Sequence, residues 1–274
     1  MPNHGFFQIW LRNKKMSLLH EELSYRLRGG LFEVHNEVGL GRSEEIYHHA
    51  FASWLTENHI PFESKPRYEL KLKGLTAHTL IPDLLIDHQI VVELKAKPTV
   101  LTEGEKAQLV DYLKCRGNRL GLLVNMGLDR VFVDRYVFDQ PDYSLECDWS
   151  EWEPIECPLT RNVQECLQNI YSEYQTGYSS QVIEKLLSTS FSCLPFSMKH
   201  KPIAEASYKQ AFLGTSPLDC LLVDGQLVLC HTALYDDNNF NRSRTKSFMD
   251  ALNAPLGLAA NFGKKSLQVK AFKS

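Results

Sequence analysis

Ile81-Pro82-Asp83-Leu84-Leu85-Ile86-Asp87-His88-Gln89-Ile90-Val91-Val92-Glu93-Leu94-Lys95 holds two apolar runs joined by the polar triplet Asp87-His88-Gln89. Runs this short and this apolar, split by a turn, read as a β-hairpin lying centrally in a sheet. Charged residues interrupt it: Asp83 in the first strand, Glu93 and Lys95 in the second. Glu93 and Lys95 are two apart and share a face. Folding about the turn sets Asp83 opposite Glu93, where facing side chains lie about 5 Å apart. Two carboxylates that close repel unless a proton or a cation stands between them. Carboxylate oxygens suit a hard cation such as Mg2+ or Mn2+. Lys95 beside it would orient a water or stabilise charge on a phosphate, as metal-assisted phosphodiester hydrolysis requires. From spacing alone, an ion-pair network on a solvated sheet face accounts for the three residues equally well.

Upstream, Leu23, Leu27, Leu31, Val34 and Val38 step by four, four, three and four, the stripe of an amphipathic helix. Gly39 and Gly41 end it. Ser43 is an N-cap for a second helix through about Asn58, with Glu44 and Glu45 favourable in its first turn. From Pro66 the period changes to two: Tyr68, Leu70 and Leu72 face one way and Arg67, Glu69, Lys71 and Lys73 the other. Strands follow at about His78–Ile86 and Ile90–Ala96. A helix near Glu103–Cys115 comes next, then strands at Leu120–Asn125 and Arg130–Val137. The order is αα-βββ-α-ββ.

The same pattern occurs twice. At an offset of 137, Leu84, Leu85, Asp87, Gln89 and Val91 recur as Leu221, Leu222, Asp224, Gln226 and Val228. At an offset of 136, Leu27, Leu31, Val34, Val38 and Gly41 answer to Val163, Leu167, Ile170, Tyr174 and Gly177, and Asn125-Met126-Gly127 to Asn261-Phe262-Gly263. The expected organisation is one domain over 17–138, a linker over 139–160 and a second copy over 161–274. The linker reading rests on Asp139, Asp142, Glu146, Asp148, Glu151, Glu153 and Glu156, with prolines at 141, 154 and 158 and no Lys or Arg.

Pro82-Asp83, nine residues, then Glu93-Leu94-Lys95 resembles the PD-(D/E)xK signature of the restriction-endonuclease-like nuclease superfamily. Gly41-Arg42-Ser43-Glu44-Glu45-Ile46-Tyr47 resembles the motif of its GxxExxY family, as do Phe32-Glu33-Val34-His35, Gln108-Leu109 with Tyr112-Leu113-Lys114, and Gly121-Leu122-Leu123-Val124-Asn125. The resemblance covers about residues 18–138. It implies an α/β fold of two tandem restriction-endonuclease-like domains, each a mixed central sheet flanked by helices. It further implies Asp83 and Glu93 as metal ligands and Lys95 as catalytic lysine. Glu44 would be an additional acidic ligand or water-positioning base. Gln108 would point toward the site, with Tyr112 and Tyr47 in support. The implied cofactor is Mg2+ or Mn2+, and the implied activity is hydrolysis of DNA, with RNA as the other substrate. A catalytically silent scaffold of the same fold that binds nucleic acid or protein is the competing reading.

In the second copy Cys220 stands where Asp83 does, Cys230 where Glu93 does and Thr232 where Lys95 does; Ser180 and Ile183 answer to Glu44 and Tyr47. Having lost every such group, this half is expected to bind no metal and to pack against the first half or present a surface to a protein partner or a second copy. Across 274 residues, 43% hydrophobic and 23% charged content excludes bulk disorder. A net charge of −3 gives no global attraction to nucleic acid, so binding needs a local patch. Lys65, Arg67, Lys71 and Lys73 are candidates for it. No apolar run reaches the roughly 18–20 residues of a membrane span. The segment before Met16 lacks a secretory pattern, and Met16 reads as the natural start. Seven scattered cysteines without a C-x-x-C pair indicate reduced thiols and a cytoplasmic protein. The ten histidines show no H-x-x-x-H spacing. Gly39-Leu40-Gly41 is a poor nucleotide loop, with no strand leading into it.

Overall fold

The computed structural model describes residues 18–155, 157–235 and 239–274. The expected start at Met16 and the linker residue Glu156 lie outside them. The first copy opens with α1 (Glu21–Val38) and α2 (Glu44–Glu57). Strands β1 (Phe62–Ser64), β2 (Tyr68–Leu72), β3 (Leu75–Leu80), β4 (Leu84–Ile86) and β5 (Ile90–Lys95) follow. The copy closes with α3 (Glu103–Arg116), β6 (Leu120–Asn125) and β7 (Phe132–Val137). After β8 (Ser144–Asp148) the sequence of elements repeats. It runs α4 (Pro158–Tyr174), α5 (Ser180–Ser192), β9 (Met198–His200), β10 (Ile203–Tyr208), β11 (Ala211–Pro217), β12 (Leu221–Val223) and β13 (Leu227–Thr232). It ends with α6 (Asn239–Leu252), β14 (Leu256–Phe262) and β15 (Ser266–Lys273).

Each copy builds a mixed sheet, β1-β4-β5-β6-β7 in the first and β9-β12-β13-β14-β15 in the second. The central pairs β5–β6 and β13–β14 are parallel and the other pairs within each copy antiparallel, with α3 and α6 as the crossovers that parallel neighbours require. Buried on both faces, the central strands are apolar at nearly every position. Leu84, Ile86, Ile90, Val92 and Leu94 pack against α1 and α2, while Leu85 and Val91 turn to the α3 side with Leu109 and Leu113.

Three expectations change. The expected strand over 78–86 is broken by Ile81-Pro82-Asp83 into β3 and β4, because proline has no N–H for a sheet ladder. β3 leaves the main sheet and pairs only with β2 as a separate hairpin. β1, a three-residue edge strand, went unread because so short a segment shows no period. The third concerns the linker: Ser144–Asp148 is exposed at every position, yet it forms an added edge strand, parallel to β15, held by Lys270 Nζ on Asp148 at 2.6 Å. Trp152 is buried just beyond it and donates from Nε1 to the Phe272 carbonyl at 2.9 Å.

The two copies share a hydrophobic core. Leu70, Leu72 and Leu80 of the first hairpin merge with Val163, Leu167, Ile183, Leu186 and Leu187 of α4 and α5. Asp111 on α3 accepts from the Ser179 N–H at the start of α5 at 2.8 Å, a polar tie across the seam.

Candidate active site

The chain reverses between β4 and β5 with Asp87 and His88 both at positive φ, 48° and 55°, the geometry of the tight hairpin whose twist matches its strands. The register Leu84↔Val92 then makes Asp83 and Glu93 the next facing pair. Pro82 ends the ladder at that point, so the Asp83 side chain is free to fold back: Oδ2 accepts the Leu94 N–H at 2.8 Å. Glu93 Oε2 accepts the Asp83 N–H at 3.4 Å. Lys95 Nζ donates to Glu93 Oε1 at 2.7 Å and stands 3.9 Å from Glu44 Oε1 at the start of α2. Asp83, Glu93 and Lys95 of one hairpin therefore meet Glu44 from the start of α2, some forty residues earlier in the chain.

Glu93 is 2% exposed. Burial, with Asp83 beside it, pushes its carboxyl up to about 7. Glu44 also shifts upward; burial is the main cause, Lys95 opposes and Asp83 adds. Burial works against the Lys95 ammonium, but Glu93, Glu44 and Asp83 outweigh it and its pKa rises. A cluster of three carboxylates and one ammonium, with the most buried carboxylate already resisting ionisation, is short of positive charge. Asp83, Glu93 and Glu44, the expected ligands, offer the oxygen donors that a hard divalent cation takes, although their ligand atoms do not all lie within 4.8 Å of one another.

Gln108 and Tyr112 sit one helical turn apart on α3. Gln108 Nε2 donates to the Tyr112 hydroxyl at 2.6 Å, and that hydroxyl donates to the Ile81 carbonyl at 3.2 Å, two residues before Asp83. Tyr112 is buried near Glu93, and both its burial and that charge hold its pKa above the ordinary value. Tyr47 is elsewhere. It is wholly buried among α1, α2 and the sheet and donates to the Gly39 carbonyl at 2.7 Å, tying the loop that presents Glu44. His35 and Glu33 likewise brace the scaffold, on the Leu128 carbonyl and on Trp54 Nε1. Lys65 and Lys71 are engaged by Glu45 and Glu69.

Asn125, quoted above in the repeat and in the resemblance, was given no role there. Fully buried at the end of β6, it accepts the N–H groups of Lys97 and Gly127 through Oδ1 and donates to the carbonyls of Lys97 and Thr99 through Nδ2, clipping the chain just beyond Lys95. Its recurrence as Asn261 was the available signal. Glu45, His48 and His49 were missed too; their ligand atoms lie within 4.8 Å of one another, and among the described residues they form the one such triplet. A cleft of ≈ 1270 Å³ between the copies has Ile81, Gln108 and Tyr112 on one wall and His231, Thr232 and Arg244 on the other, but not Asp83, Glu93 or Lys95.

An Asp, Glu and Lys set on the central hairpin of a mixed sheet, under an acid-bearing helix, is the arrangement of a restriction-endonuclease-like nuclease fold. The chain belongs to the PD-(D/E)XK nuclease superfamily, whose family model matches residues 21–135 and again 158–272. Solved structures similar to it include the crystal structure of SSO0001, at 21% identity and TM-score 0.30 over 47% of this chain. That match spans 65% of the SSO0001 chain, less than two thirds of its length. Another is an alkaline exonuclease (LHK-Exo) from Laribacter hongkongensis, at 13% identity and TM-score 0.30, covering 65% of this chain and 86% of that one. No curated protein matches the chain. No helix among the described residues is long and apolar enough to cross a membrane.

Proposed function

We propose that the chain is a divalent-metal-dependent nuclease that hydrolyses phosphodiester bonds in DNA, with its active centre in the first copy. The carrying observation is the convergence of Asp83, Glu93, Glu44 and Lys95, with Lys95 2.7 Å from Glu93 and 3.9 Å from Glu44. Mg2+ or Mn2+ held by Asp83 and Glu93 would polarise the scissile phosphate and acidify a bound water. Lys95 acts through its charge, orienting the water and stabilising the extra negative charge that develops on the phosphate oxygens. Glu44, half-exposed and adjacent, takes up the water's proton. The water oxygen bonds to phosphorus, the bond to the 3′ oxygen breaks, and that oxygen takes a proton from solvent, leaving a 5′-phosphate and a 3′-hydroxyl. Gln108 and Tyr112 act through the Ile81 carbonyl, fixing the Pro82-Asp83 corner as positioning residues. The second copy supports the first: α5 closes over the β2–β3 hairpin and completes its core.

Cleavage of single-stranded, double-stranded and branched DNA with Mg2+ or Mn2+ tests this reading. Asp83→Ala and Lys95→Ala should each lose about 10³-fold in rate, roughly 4 kcal/mol of barrier. Equal rates for all three proteins would remove these residues from the chemistry. An RNA substrate in the same assay separates the two nucleic acids.

A further inference from the structure

Glu45, His48 and His49 recur at i, i+3 and i+4 along α2, spacings that share one helix face. The outer two are exposed and already adjacent, with Glu45 Oε1 3.2 Å from His49 Nε2. That separation is close to the roughly 3.3 Å edge of a tetrahedron with the 2.0–2.1 Å arms of a zinc site. Lys65 Nζ takes the other carboxylate oxygen at 2.6 Å, which leaves Glu45 as a one-oxygen ligand.

His48 supplies the second, independent observation. It is 3% exposed, and its Nε2 stands 3.2 Å from the Asp83 carbonyl and 3.2 Å from the Ser64 hydroxyl. A carbonyl only accepts, so that contact is a hydrogen bond when Nε2 carries the proton. In the neutral ring the lone pair is then on Nδ1, and Nδ1 is buried without any hydrogen-bond partner. A buried polar atom left unsatisfied costs about 1–3 kcal/mol. A ring whose far nitrogen donates to a carbonyl is also how metal-binding histidines are commonly oriented.

We infer that Glu45, His48 Nδ1 and His49 form a binding site for a borderline transition-metal ion, Zn2+ or Co2+, separate from the oxygen-only set of Asp83 and Glu93. Two imidazoles and one carboxylate favour such an ion over Mg2+, and three protein ligands leave a fourth position for water. The site is coupled to the hydrolytic centre through the same histidine, because an ion on Nδ1 fixes the ring that braces the Asp83 carbonyl. The second copy is an internal control: Gln181, Glu184 and Lys185 occupy the equivalent positions and cannot make this set.

The inference does not depend on the nuclease reading, since metal uptake is measured without nucleic acid. Full-length protein is titrated with Co2+ and followed by visible absorption, with Zn2+ added as competitor. One equivalent should bind with the intense bands of a four-coordinate ion, and Zn2+ should abolish them. Glu93→Gln, which disables the oxygen-only site, should keep the bands. His49→Ala, at an exposed position where folding is not at stake, should lose them and bind at least tenfold more weakly. Retention of the bands in His49→Ala, or their loss in Glu93→Gln alone, overturns the assignment. His48→Gln, checked for fold by circular dichroism, should match His49→Ala; normal Co2+ binding by that folded variant excludes Nδ1 as a ligand.

Discussion

The two copies carry the same ten elements in the same order, yet they use the α3 and α6 faces of their sheets differently. In the first, Glu93 and Lys95 project from that face of β5 beside Asp83, and a charged cluster results. In the second, Cys220 and Cys230 occupy the corresponding places with Leu222, Val228, Met249, Ala259 and Phe272 around them, and the face is an apolar core. Thr232, in place of Lys95, turns inward and donates to Asn261 at 2.9 Å. Each filling is matched to its own surroundings: a lysine partners the buried carboxylate in the first copy, and apolar neighbours enclose the two thiols in the second. The paired hairpins differ as well: β2–β3 is covered by α5, whereas β10–β11 exposes Ile203, Tyr208, Phe212 and Leu213.

The severest test of this contrast is to move a carboxylate into the second copy. Cys230→Glu places a charge at a site with no exposure and no lysine at the Thr232 position, so a loss of about 3–5 kcal/mol is expected in urea unfolding. A neutral outcome would mean that the second site still tolerates charge, and the contrast would fail.

Next in size is the polar seam. Asp111 of α3 has Ser247 as its counterpart on α6. Burial pushes the Asp111 carboxyl up from 3.8 to about 6, against the Ser179 hydrogen bond. A group whose folded pKa is raised binds its proton more tightly when folded, so its contribution falls as pH rises from about 3.8 to about 6 and stays low above that. Two units correspond to at most about 3 kcal/mol. Asp111→Asn should flatten the wild-type decline across that window without loss of stability at pH 7. An unchanged pH profile of thermal unfolding would remove Asp111 from the account.

The glycines after the buried asparagines sharpen the comparison. A Cβ on Gly127 would fall 2.5 Å from the Lys97 backbone, whereas one on Gly263 would meet the Leu234 carbonyl at 3.0 Å. Gly127→Ala should cost about 1–3 kcal/mol and slow cleavage by shifting the loop beyond Lys95, and Gly263→Ala should cost less. Equal costs would show that the two clips are equally tight. The smallest expected effect is on activity in Cys220→Ala and Cys230→Ala, which should stay within about twofold of wild type in the DNA assay. A folded variant that lost activity would place the second copy in the chemistry.

Much of the site was legible because the hairpin is local: its turn and two-residue alternation bring Asp83, Glu93 and Lys95 together over 13 residues, whatever the rest of the chain does. Glu44 was named only through the GxxExxY resemblance, since nothing in strand or helix periodicity links residue 44 to residue 95. Tyr47 belongs to the same motif but holds the loop, because its position on α2 points into the core. Local pattern could not show which residues share a cluster across elements.

The chain's own pattern determined the duplication, the α/β class, the central hairpin and the loss of charge from the second copy, since alternation, helical stripes and turns act between near neighbours. Tertiary structure alone decided that Lys95 lies between Glu93 and Glu44, that β8 joins the second sheet and that α5 completes the first core. It also set His48 Nε2 against the Asp83 carbonyl and the Ser64 hydroxyl. These are contacts between segments far apart in sequence, fixed by packing and burial, and no short-range period encodes them.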